Sequence, residues 1–79
     1  MPDESEIREE NRRVRRLQIV VDLVITVLNQ SEIPLDEALE LVSATRRFAL
    51  GLFPDKAQTY DLIYQPRFER LLRERYTTI

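Results

Sequence analysis

Glycine is almost absent from this chain, since Gly51 is the only one among 79 residues. A tight β-hairpin turn needs backbone with positive φ, a conformation that glycine adopts at the lowest cost. The chain also lacks a sustained run in which apolar and polar residues alternate, and it is rich in the helix formers Leu, Arg, Glu and Ala. These features predict an all-α fold and argue against a β-meander or a β-sandwich.

The first predicted helix runs from Ile7 to about Asn29. It follows residues 1–6, a polar and acidic segment that we expect to fray. From residue 14 onward its apolar residues recur at steps of three and four, which places them along one side of a helix: Val14, Leu17, Val21, Val24 and Leu28.

A second helix is expected to start between Ser31 and Pro34, because proline is tolerated in a first helical turn. Gly51 is expected to end it as a left-handed cap. One apolar stripe is predicted at Leu35, Leu39, Val42, Thr45, Ala49 and Leu52. A neighbouring stripe is predicted at Leu41, Ala44 and Phe48.

Two shorter helices are predicted in the remainder of the chain. Asp55 and Gln58 have the spacing of a capping box, which predicts a helix from there to Tyr64. Pro66 would break a continuous helix, so a fourth helix is expected from Pro66 to about Tyr76. Its buried stripe is predicted to contain Phe68, Leu71, Leu72 and Tyr76.

The short connection between the first two helices predicts an antiparallel hairpin. Residues 1–79 are then expected to form a single small four-helix domain, in which a long first helix and a medium second helix are closed by the two shorter ones. The two stripes predict that these pairs face each other: Leu28 with Leu35, Val24 with Leu39, Val21 with Val42, Leu17 with Thr45, and Val14 with Ala49.

The segment from Leu17 to Leu28 is apolar on more sides than one neighbouring helix can cover. A chain of this length has a small core, and without Cys or His it has neither a disulfide nor the usual zinc ligands to stabilise it. The segment could be wrapped by the other helices of one monomer. We favour self-association as a homodimer, or binding of another protein, through Ile19, Leu23, Ile25 and Val27, with Arg12 and Arg16 facing an acidic partner.

Asp22 interrupts this apolar segment, and two roles are open to it. It could face solvent and so mark the outer side of the helix. Alternatively, it could form an ion pair with Arg46 or Arg47.

The residues that most often carry catalysis are missing. General acid–base chemistry near neutral pH most often uses His, and nucleophilic catalysis uses Cys or a Ser beside a base. The chain has no His or Cys and no glycine-rich phosphate loop. We therefore expect no enzyme, and no cofactor, metal or small-molecule site.

Arginine dominates the basic residues, and it is concentrated in two clusters: Arg12, Arg13, Arg15 and Arg16, and Arg67, Arg70, Arg73 and Arg75. Such clusters can bind phosphates, so a small nucleic-acid-binding regulator is the alternative function. The formal net charge of −2 weakens this alternative. Glu9 also lies four residues before Arg13, a spacing typical of a solvated helix face.

The apolar segment is too short to span a bilayer, and it lacks the cationic face of a membrane-surface helix. We therefore expect a cytoplasmic protein that does not bind membranes. The predicted function is a non-catalytic protein–protein interaction or structural module that associates with itself through the first helix.

Overall fold

The computed structural model describes residues 3–30 and 32–76, and these residues form four α-helices. They are α1 (Glu4–Gln30), α2 (Leu35–Leu52), α3 (Ala57–Ile63) and α4 (Gln65–Tyr76). No strand occurs within the described part of the chain, so the all-α prediction is confirmed. Helix α1 packs against α2 and α4, and α3 packs against α2 and α4, which gives a small helical bundle.

Helix α1 begins three residues earlier than predicted. The side-chain Oδ1 of Asp3 accepts a hydrogen bond of 2.8 Å from the backbone N–H of Glu6, which satisfies one of the free donors at the helix start. Glu4 and Glu6 lie in the first turn, where the helix dipole stabilises negative charge. Residues 4–6 therefore belong to the helix rather than preceding it, while Met1 and Pro2 lie outside the described residues.

The core confirms the stripe predicted on α1 from Leu17 to Leu28, but Val14 is 52% exposed, and the stripe on α2 is corrected. The buried apolar residues of α1 are Leu17, Val21, Val24 and Leu28, and those of α2 are Ala38, Val42 and Ala49, with Thr45 also buried. Leu35 and Leu39, predicted to be buried, are 45% and 49% exposed. The small side chain of Ala38 is buried in their place.

The register of the hairpin is therefore shifted by about one helical turn from the predicted one. Leu17 lies beside Ala49 in the same cleft, and the guanidinium of Arg13 lies 5.9 Å from the centre of the Phe53 ring. In antiparallel order, the buried residues then place Leu17 level with Ala49 and Leu28 level with Ala38. Val14, predicted to face Ala49, is exposed.

Three predicted helix boundaries on α2 and α3 are wrong. Gly51 is helical and does not have positive φ, because α2 continues to Leu52 and the Phe53 N–H then bonds to the Ala49 carbonyl at 2.9 Å. Helix α2 starts at Leu35, one residue later than expected, and Ser31 lies outside the described residues. The predicted capping box is absent, since α3 follows Lys56 and has no side-chain cap.

The predicted division between the last two helices is present, but α3 and α4 are joined through Tyr64, which has helical φ and ψ, and α4 starts at Gln65, one residue before Pro66. Phe68 is only 1% exposed, and the rest of the predicted stripe packs against the core: Leu71, Leu72 and Tyr76. The Tyr76 hydroxyl donates a 2.7 Å hydrogen bond to the carbonyl of Ile33. This bond ties the end of α4 to the connection between α1 and α2.

Candidate interaction surface

The residues predicted to contact a partner fall into two groups in the structure. Ile19 and Leu23 are each 60% exposed, and Val27 is half-buried. Ile25 is also half-buried, but it packs against the core of the same chain and lines a cleft with α4 residues: Arg67, Arg70, Leu71 and Glu74. The structure therefore does not bring Ile25 together with the other three.

Helical geometry explains this separation. A step of two residues turns a side chain by about 200° around an α-helix, almost to the opposite side. Ile25 lies two residues from both Leu23 and Val27. Since Ile25 faces α4, Leu23 and Val27 point away from it.

On α2, too, residues two positions apart point to opposite sides of the helix. Arg46 faces α3, where its Nε and Nη2 donate hydrogen bonds of 2.8 and 3.0 Å to the carboxylate of Asp61. This contact raises the pKa of Arg46 and lowers that of Asp61, because the hydrogen bonds favour the charged form of both groups. Ala44 and Phe48 lie two residues from Arg46, so they point away from α3.

The sides of α1 and α2 that point away from α3 and α4 together form one surface, which we call the open face. It consists of Arg16, Leu23 and Val27 on α1 and of Glu37, Ala44 and Phe48 on α2. Val27, Ala44 and Phe48 are half-buried, and the other three residues are exposed. Ile19 borders this surface one turn before Leu23, and Leu41 borders it on α2.

Two opposite charges lie on the open face. Among the described residues, neither Arg16 nor Glu37 has an ion-pair partner. Arg12, the other arginine predicted at the interface, is exposed and approaches Glu9 at 3.8 Å. Arg16 and Glu37 are therefore available for contacts outside the chain.

Asp22 takes the first of its two predicted roles. It is exposed, and its Oδ1 accepts a 3.0 Å hydrogen bond from the Nε2 of Gln18. The proposed pairing with Arg46 or Arg47 is wrong, because Arg46 pairs with Asp61 and Arg47 donates a 2.7 Å hydrogen bond to Glu40.

The arginine clusters do not form one continuous cationic surface. Arg8, Arg12 and Arg15 line a cleft on the outer side of α1, where Arg8 pairs with Glu4 at 3.2 Å and Arg12 with Glu9. Arg13 does not line this cleft. It lies close to Glu9, as predicted, and its guanidinium lies over the Phe53 ring. Arg67 and Arg70 lie at the separate cleft beside Ile25.

A second apolar feature was not predicted from the sequence. A cleft of about 230 Å³ lies between the end of α2 and α3, lined mainly by apolar side chains that include Leu17, Phe53, Tyr60 and Ile63. The Tyr60 hydroxyl is buried and has no hydrogen-bond partner among the described residues. Burial raises the pKa of Tyr60 to about 12, although the nearby Arg46 cation opposes this shift. The clustered aromatic residues from Phe53 to Tyr64 are the only signal of this cleft in the sequence.

In the described part of the chain, no three His, Cys, Asp or Glu side chains are grouped as a metal site requires. None of the described helices combines the length and the apolar character needed to cross a membrane. In comparisons with known proteins, no family model, no curated protein and no solved structure matches the chain.

Proposed function

We propose that this chain is a non-catalytic interaction module that acts in the cytoplasm and associates with a second copy of itself through the open face. The observation that carries the proposal is the exposure of Leu23, a large apolar side chain that is 60% exposed in the middle of the apolar segment of α1. Ile19, one turn before it, is equally exposed. Apolar side chains that share a patch with polar edges are typical of protein interfaces.

The small size of the core supports the same proposal. A single hydrophobic core in a chain of this length rarely supplies more than about 3–5 kcal/mol of stability. The chain has no Cys for a disulfide. Association with a second copy would bury the apolar residues of the open face and add stability that the monomer lacks.

Sedimentation velocity over a wide range of protein concentrations tests this proposal. The wild-type chain is expected to sediment as a dimer at micromolar concentration. Leu23→Glu is expected to abolish the dimer, since it places a carboxylate in the centre of the contact. A monomeric wild-type chain at several hundred micromolar would contradict the proposal.

Leu62→Glu is the matched control. Leu62 is 71% exposed and lies on α3, away from the open face, so the variant makes the same chemical change on a different surface. It is expected to dimerise like the wild type. Equal loss of the dimer in both variants would mean that the contact is not at the open face.

Nucleic-acid binding is the alternative function, and the placement of the arginines argues against it. Two of the three arginines in the cleft on α1 already lie beside glutamates, which reduces the positive charge available to a phosphate.

A further inference from the structure

We propose that the first three turns of α1, together with the cleft between α2 and α3, bind a basic amphipathic helix of another protein. This surface is separate from the open face, so the proposal goes beyond the proposed self-association and does not depend on it. We call the surface the acidic groove. It consists of Ile7 and Val14 on α1, Ile63 on α3, and the carboxylates of Glu6, Glu10 and Asp55.

Helix α1 extends past the helices that pack against it. Leu17 is level with Ala49, and α2 ends only three residues later, at Leu52. Residues 4–13 of α1 therefore extend almost three turns beyond the end of α2. Helix α4 ends beside Ile33, at the other end of the hairpin, and its 12 residues are too few to reach this part of α1.

The uncovered turns of α1 continue its buried stripe. Ile7, Val14, Val21 and Leu28 are seven residues apart, which is almost two full turns, so they lie on the same side of the helix. Val21 and Leu28 are fully buried, whereas Ile7 and Val14 are 47% and 52% exposed. An apolar stripe that continues at heptad spacing beyond its last neighbour has the shape that a further helix covers.

The apolar cleft at the base of these turns provides a place for one anchoring side chain. It has a volume of about 230 Å³, and Leu17, Phe53 and Ile63 are among the side chains that line it. Because a cavity of about 150 Å³ is enough for a benzene molecule, this cleft has room for one aromatic or branched aliphatic side chain. Ile63 is 52% exposed, so it is accessible to a partner.

A polar cleft adjoins the apolar one and carries the negative charge of the groove. Glu10, Phe53 and Lys56 line both clefts, and Glu6 and Asp55 line the polar cleft alone. All three carboxylates are exposed, and none has an ion-pair partner within residues 3–30 and 32–76. They are therefore available to cationic side chains of a partner.

The cations of the polar cleft do not balance these carboxylates. Arg13 lies 3.8 Å from Glu9, a carboxylate outside the cleft, and over the Phe53 ring. Lys56 then remains against three carboxylates. The groove has a net negative charge, which favours a basic partner helix and disfavours an acidic one.

A tryptophan-containing peptide tests the proposal, because the chain itself has no Trp. The probe is an amphipathic helical peptide of about four turns, built from Leu, Ala and Lys, with one Trp on its apolar side. We expect it to bind with its Trp emission shifted to shorter wavelength. A control peptide with Glu in place of every Lys is expected to bind at least roughly tenfold more weakly at low salt. Equal binding of the two peptides, or binding of neither, would overturn the proposal.

Two neighbouring residues of α3 test the apolar part of the groove. Ile63→Asn is expected to weaken binding of the basic peptide at least roughly tenfold, because it places an amide at the anchoring cleft. Leu62→Asn makes the same change at a residue that is 71% exposed and does not line the cleft, and it is expected to bind like the wild type. Ile7→Asn is expected to weaken binding several-fold. Unchanged affinity in Ile7→Asn would confine the contact to the cleft and overturn docking along α1.

Removal of charge tests the carboxylates. The double variant Glu6→Gln/Glu10→Gln is expected to bind the basic peptide several-fold more weakly, with a smaller deficit at high salt. Glu69→Gln/Glu74→Gln removes the same charge from exposed residues of α4 and is expected to bind like the wild type. Equal weakening in the two double variants would show that the net charge of the chain, rather than the groove, attracts the peptide.

Sedimentation velocity separates this proposal from the proposed self-association. Leu23→Glu, which is expected to be monomeric, is expected to bind the basic peptide as tightly as the wild type. Loss of peptide binding in this variant would place the peptide on the open face and overturn the proposal. Ile63→Asn is expected to dimerise like the wild type. If it were monomeric, a second copy would fill the groove, which would overturn the proposal while leaving self-association intact.

Discussion

The two sides of the α1–α2 hairpin contain similar apolar residues but have different neighbours. On one side, α3 and α4 cover the hairpin, with Phe68 only 1% exposed and Ile25 packed against the core. On the other side lies the open face, where Leu23 is 60% exposed. Helices of 7 and 12 residues are too short to cover both sides, so the amphipathic pattern of α1 exceeds what the chain itself can bury.

The largest effect is expected on the covered side. Phe68→Ala removes the most deeply buried aromatic ring of α4 and leaves a cavity beneath it. It is expected to lower the free energy of unfolding by about 3–5 kcal/mol, a large part of the stability of a domain this small. Urea unfolding followed by circular dichroism measures this loss.

Phe68→Leu keeps most of the buried volume and is expected to cost much less. The comparison between the covered side and the open face would be wrong if Phe68→Ala cost less than about 1 kcal/mol, the range of a surface substitution. Helix α4 would then contribute little to the packing that distinguishes the covered side of the hairpin from the open face.

The sequence predicted the helices and the buried residues of α1 better than it predicted how the helices pack against each other. The 3.6-residue period identified the buried residues of α1, since apolar spacing depends only on helix geometry. On α2 the prediction favoured the larger apolar side chains of Leu35 and Leu39, and Ala38 belonged to neither predicted stripe, although it is the residue that is buried. That choice depends on how closely two helices approach, which is a property of the packed pair.

The same limit applies to the predicted interface. Ile19, Leu23, Ile25 and Val27 belong to one apolar segment, and their spacing did not reveal that α4 would approach Ile25. Helical geometry alone implies that Ile25 points away from Leu23 and Val27. Only the packed structure shows that α4 covers the side on which Ile25 lies.

An intermediate effect is expected at Tyr60, which belongs to the covered side. Its pKa is about 12 in the folded protein, raised by burial from the ordinary value of 10. Folding therefore favours the neutral phenol, so this contribution to stability is complete below pH 10 and is lost as the pH rises from about 10 to 12. A shift of this size corresponds to about 2–3 kcal/mol, measurable by urea unfolding at several pH values.

Tyr60→Phe isolates this contribution. The hydroxyl has no hydrogen-bond partner among the described residues, so its removal is expected to leave stability at pH 7 unchanged or slightly higher. The variant is expected to lose the decline in stability between pH 10 and 12, whereas Tyr64→Phe is expected to retain it. An unchanged alkaline decline in Tyr60→Phe would assign it to another group.

The smallest effect is expected on the open face of the monomer, where a matched pair of substitutions sharpens the comparison. Ile25→Ala removes contacts with the core and is expected to cost about 1–2 kcal/mol, since this residue is half-buried. Leu23→Ala, two residues away, is expected to change the free energy of unfolding by less than about 0.5 kcal/mol at dilute concentration, where the monomer dominates.

Thermal unfolding at increasing protein concentration then separates folding from association. The wild type is expected to gain stability with concentration, because the proposed dimer would stabilise only the folded state, and Leu23→Ala is expected to gain much less. Parallel gains in both chains would show that Leu23 contributes neither to the monomer nor to the contact.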